Sequence, residues 1–70
     1  MDQITYRIEF FTYQGIPATK KPWNVTGKSI GEIMDFASDT LATIPNAHFC
    51  DGYLVKDGEV LIRHKFTISK

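Results

Sequence analysis

Seventy residues, with eight basic side chains against eight acidic ones and a single cysteine, set narrow bounds on this chain. A domain of this size buries only about 60% of its unfolded surface; one thiol, Cys50, excludes a disulfide framework and fits the reducing cytoplasm. Balanced charge argues against a dedicated nucleic-acid binder, which is usually strongly basic, and leaves little repulsion to oppose self-association.

No apolar run approaches the ~20 residues that cross a bilayer, and no basic, apolar leader opens the sequence. The expectation is a cytoplasmic protein with no membrane partner. The core must be economical. Five Phe, three Tyr and one Trp supply it, since each aromatic buries roughly 150–250 Å².

The first strand is predicted over Ile4 to Tyr13. Ile4, Tyr6, Ile8 and Phe10 alternate with Thr5, Arg7, Glu9 and Phe11, the pattern of one covered and one solvated face. Gln14-Gly15 signals a turn. From Ile16 to Thr26 the pattern weakens, because Pro17 and Pro22 cannot donate ladder hydrogen bonds. Lys20-Lys21-Pro22 reads as edge protection, and a short irregular edge strand is expected to end near Trp23 to Thr26.

Ser29-Ile30-Gly31-Glu32 is a capping box, in which a Ser at the N-cap and a Glu three residues on satisfy free N–H groups at a helix start. Ile30, Ile33, Met34, Ala37, Leu41 and Ile44 follow at helical spacing, which predicts a helix from Ile30 to Thr43. Pro45 stops it, because the residue before a proline is pushed out of the α region.

Ala47 to Lys56 and Glu59 to Ile68 form a hairpin around Asp57-Gly58, the pair favoured in a two-residue type I′ turn. Unbroken pairing from that turn sets Lys56 against Glu59, Val55 against Val60, Tyr53 against Ile62, Asp51 against His64 and Phe49 against Phe66. Gly52 is a position where a bulge would shift this register. The fold class is α+β: a small, bent antiparallel sheet of three to four strands on one amphipathic helix, in the order β-β-α-β-β, with residues 1–70 as a single domain.

Chemistry-bearing residues are sparse. Asp51 beside His64 could orient an imidazole for proton transfer, but the pair lacks a nucleophile and reads as a cross-strand contact. His48 and Cys50, two apart on a strand, fall short of the three or four ligands that zinc takes. No catalytic residue, cofactor site or metal site is expected, and the protein is not expected to be an enzyme.

Surfaces carry the functional expectation. The covered face should hold Ile8, Phe10, Tyr53, Ile62 and Phe66. Phe11, Tyr13, Leu54 and Leu61 should then form an apolar patch on the opposite face, near Arg7, Arg63 and Lys65, with Lys20, Lys21 and Trp23 on the neighbouring edge. Such patches mark interaction sites. The expected function is a non-enzymatic protein-binding module whose partner is another protein or a second copy of itself. Its size and fold parallel small accessory proteins of phages and mobile elements, including inhibitors of host defence, a parallel of architecture alone. The alternative is a small nucleic-acid-binding or regulatory domain using Lys20, Lys21, Trp23, Arg63 and Lys65, since cations interleaved with an aromatic suit single strands.

The turn gives the first test. A β-branched side chain resists positive φ, so Gly58→Val should cost at least about 1 kcal/mol. An unchanged melting temperature would refute the Asp57-Gly58 turn.

Overall fold

The computed structural model describes residues 3–70. Its elements follow in the order β1 (Ile4–Phe11), β2 (Trp23–Gly27), α1 (Ile30–Thr43), β3 (Phe49–Lys56) and β4 (Glu59–Ser69). All strand pairs are antiparallel and the spatial order is β2-β1-β3-β4, so β1 and β3 lie inside the sheet and β2 and β4 form its edges. This is the expected β-β-α-β-β fold with four strands.

Alternation along β1 decides which face is covered. Tyr6, Ile8 and Phe10 are buried, while Thr5, Arg7, Glu9 and Phe11 are half-buried on the other side. The strand stops at Phe11 rather than Tyr13, because Thr12 organises a turn. Its N–H donates to the Ile16 carbonyl at 2.8 Å, and its carbonyl accepts from the Gly15 N–H at 2.9 Å. The Thr12 hydroxyl also accepts from the N–H groups of Gln14 and Ile16.

Past the turn, the chain keeps to the β1 edge only through a Phe11–Pro17 bridge and the Ala18 N–H donating to the Phe10 carbonyl. The regular edge strand begins at Trp23, after the second proline. That ordering fits the lack of a donor at each proline.

The helix has the predicted bounds. Ser29 takes an extended conformation at the N-cap and its hydroxyl accepts from the Glu32 N–H at 3.3 Å. The Glu32 carboxylate accepts from the Lys28 N–H at 3.4 Å, one residue before the cap, in place of the cap's own N–H. Ile33, Ala37 and Leu41 are buried, whereas Ile30, at the start of the stripe, is exposed. The last turn carries no basic residue of its own. The Lys70 ammonium, at the end of the sheet, donates to the Ile44 carbonyl at 2.7 Å and supplies a cation at the negative end of the helix. The helix contacts all four strands. With 14 residues it is too short to cross a membrane, and no helix among the described residues is long and apolar enough to do so.

The hairpin departs from simple pairing. Near the turn the register is as expected, with Lys56 against Glu59 and Val55 against Val60. Positive φ at both Asp57 and Gly58 matches a type I′ turn. Beyond Leu54–Leu61 the ladder slips. Gly52 pairs with Phe66, Asp51 with Thr67 and Phe49 with Ser69, so Tyr53 alone stands opposite the four residues Ile62 to Lys65. The expected pairings Tyr53–Ile62, Asp51–His64 and Phe49–Phe66 are replaced by this register.

The cause lies at Gly52. The Phe66 ring is seated on it; a Cβ there would come within 2.9 Å of Phe66 Cδ2 and nearer still to two other ring carbons. Tyr6 completes the contact, its ring centroid 5.3 Å from that of Phe66. This seating brings Cys50, Gly52 and Leu54 to the helix side of β3 and turns Tyr53 to the open side. Three surplus residues on β4, an odd number, also reverse which of its side chains point inward. Phe66 and Ile68 pack in the core region, while Ile62, expected in the core, is 73% exposed.

Gly52→Ala should therefore destabilise the fold by about 2 kcal/mol or more through overpacking, read as a lowered denaturant midpoint. In a Phe66→Leu background the same substitution should cost less. Equal costs in both backgrounds would show that the ring does not sit there.

Candidate protein-binding surface

One helix covers one face, which leaves the other open. On that open face the register aligns four rows of side chains. Phe11 lies beside Phe49, then Glu9 beside Asp51 and Thr67, then Arg7 between Asn24 and Tyr53, then Thr5 between Thr26 and Val55, with Val60 beyond. The first row is a stacked pair, with centroids 5.2 Å apart and ring planes 22° apart. The Thr5 and Thr26 hydroxyls meet at 2.8 Å.

Asp51 is the best-tied polar group on this face. It accepts from the Thr67 hydroxyl at 2.7 Å and lies 3.8 Å from the Lys65 ammonium. The same ammonium sits 5.9 Å from the Tyr53 ring centroid, close enough for a weak cation–π contribution. Arg7 and Glu9 are half-buried, and among the described residues neither has an ion-pair partner.

The residues singled out from sequence divide between locations. Phe11, Arg7 and Lys65 lie on the open face. Tyr13 stands at the tip of the turn after β1, 76% exposed. Leu54 and Leu61 are a correction: they pair with each other on the side of Tyr6, which is the helix side, so they do not join Phe11. Arg63 projects from the exposed Ile62–Lys65 excursion on β4.

Lys20 and Lys21 lie exposed on the approach to β2. Trp23 packs on the helix side, edge-on to Phe10 at 5.3 Å and tilted against Phe36 at 6.3 Å. The five residues of the nucleic-acid reading thus fall at the two opposite edges of the sheet, about 14 Å apart. Phe49 and Tyr53 are the open-face aromatics that the sequence reading assigned elsewhere, and Gly52 was the signal for them, since its bulge sets which side of β3 faces out.

The remaining candidates stay apart. His64 is exposed in the excursion, and Asp51 takes Thr67 as its partner instead. His48 precedes β3 and is exposed, whereas Cys50 is fully buried. Among the described residues there is no group of three or more His, Cys, Asp and Glu placed to hold a metal ion, and no pocket. Comparison with protein-family models, with curated proteins and with solved structures finds no match to this chain.

Burial pushes the Cys50 thiol above its ordinary value of 9.0; a backbone contact with Ile68 opposes the shift and the Asp51 charge adds to it. Burial likewise raises Tyr6 above 10.0. A raised acid favours the folded state below its unfolded value and loses that contribution as pH rises through the folded one. Stability should therefore fall as pH climbs past 9.0. Melting temperature should drop more steeply between pH 9.0 and 10.0 in the wild type than in Cys50→Ala. Parallel profiles would remove the thiol as the cause.

Proposed function

We propose that the protein is a non-enzymatic protein-binding module acting through the open face of its sheet in the cytoplasm, in the manner of a small phage or mobile-element accessory or inhibitor protein. The observation that carries this reading is the composition of that face. It combines the stacked Phe11–Phe49 pair, Tyr53 and Arg7, the residue types that anchor protein interfaces. They sit on a framework of strands rather than on loops, so little order has to be gained on binding. Tyr13 extends the surface beyond the end of β1.

Charge on the face is mixed. Glu9 and Asp51 lie between the aromatic pair and the cations Arg7 and Lys65. Acidic groups at the centre favour a protein partner over a polyanion. The nucleic-acid reading through Lys20, Lys21, Trp23, Arg63 and Lys65 is the weaker one, because its residues do not share a face. Binding to single-stranded oligonucleotides that fell steeply with salt would revive it.

The test is a binding series against a protein captured by chemical cross-linking in the native cell. Tyr53→Ala and Tyr13→Ala should each weaken that complex by at least about tenfold, with melting temperature little changed. Ile30→Ala, exposed on the helix and away from the open face, should leave it unaltered. Loss of binding in Trp23→Ala alone would overturn the assignment and move the site to the helix side.

A further inference from the structure

The open face is self-complementary, and we propose that its partner is a second copy of this chain, packed face to face about a two-fold axis that crosses the strands at the level of Ile8 and Gly52. The proposal rests on the protein-binding reading of that face and names its occupant. A two-fold interface needs one patch that matches itself when inverted, and the register of the sheet supplies one.

Ile8 and Gly52 are paired, so a two-fold at their level exchanges the rows on either side. Arg7 then lies over Glu9 of the second copy, and Glu9 over its Arg7. Tyr53 lies over Asp51, where a phenol can donate to a carboxylate. The outer rows exchange as well, so Phe49 meets Val55 and Phe11 meets Thr5. The inner rows match in charge and hydrogen bonding, cation on anion and phenol on carboxylate, and in the outer rows Phe49 meets the aliphatic Val55.

The alternative two-fold, along the strands, would set β1 over β3 and bring Glu9 onto Asp51. Like charges across an interface are costly, and that arrangement is rejected. The two half-buried charges without an ion-pair partner among the described residues, Arg7 and Glu9, are the two that the crossing axis pairs in trans. Equal numbers of acidic and basic residues mean that two copies approach without net repulsion.

Size sets the strength. The face measures about 25 Å along the strands and about 19 Å across them. Two copies would bury on the order of 1,000 Å² in total, the low end of specific interfaces. The dimer is therefore weak, reversible and dependent on concentration.

Sedimentation velocity from about 10 μM to about 1 mM spans the affinity of such a contact. The wild-type mass should rise reversibly from 8.0 kDa towards twice that value. Arg7→Glu and Glu9→Arg should each weaken dimerisation by at least about tenfold, and the double exchange should restore it. In parallel, concentration-dependent NMR shifts of the wild type should be confined to the rows containing Arg7, Glu9, Asp51 and Tyr53, a readout that stands if a variant fails to fold. A mass of 8.0 kDa throughout overturns the proposal, as does a dimer indifferent to Arg7→Glu, a double exchange without rescue, or shifts centred on another surface. A monomer whose complex with a different protein is broken by Tyr53→Ala would leave the protein-binding reading standing and remove only the second copy.

Discussion

The Phe66 ring resting on Gly52 is the contact from which the arrangement of this sheet follows. A glycine in the middle of a strand leaves a hole in the covered face and weakens the strand by itself. Here the hole is filled from the neighbouring strand, and Tyr6 closes over the ring from the other side. The contact fixes the far half of the β3–β4 ladder. The Asp57-Gly58 turn fixes the near half. The two registers disagree by three residues, and the surplus is pushed out of the sheet as the Ile62–Lys65 excursion. Exposed Ile62 and His64, which make no sense as parts of a flat ladder, are the residue of that disagreement.

Local signals were legible wherever one interaction within a few residues decides the structure. The helix bounds follow from Ser29, Glu32 and Pro45, and the hairpin turn from two residues whose backbone requirement is specific. The face of β1 followed from its alternation because both of its neighbours are strands and nothing interrupts it. What stayed hidden was the facing of β3. Its two alternating sets, Phe49-Asp51-Tyr53-Val55 and Cys50-Gly52-Leu54-Lys56, differ little in apolar character. The richer set reads as core, yet only the poorer one contains the glycine that can admit Phe66. That choice is made by a contact between residues 14 apart in sequence, and no periodicity records it. Leu54 and Leu61 changed faces for this reason, and Tyr53 and Phe49 came to the open side.

The two sides of the sheet divide the labour of the molecule. The buried part of the helix side is apolar, with no buried charged or polar side chain among the described residues. Stability comes from there. The open side trades apolar area for alternating charge and hydroxyl groups. Asp51 is tied to Thr67 and Lys65, which holds the middle of the surface in one conformation without covering it. A surface built this way costs the fold little and is held in shape by the protein's own contacts.

The Ile62–Lys65 excursion has a consequence at the margin of the sheet. A long, straight outer strand is a template on which further strands can add without end, the route to fibrils. On β4 that template is interrupted midway by displaced backbone carrying Arg63, His64 and Lys65. On the opposite margin, Pro17 and Pro22 withhold two donors from the segment that runs beside β1. The regular part of that margin is only the five residues Trp23–Gly27, so neither margin offers a long uninterrupted row of backbone groups to a newcomer. Edge addition is hindered at both margins, whereas the two-fold contact proposed for the broad surface would be finished at two copies and could not propagate.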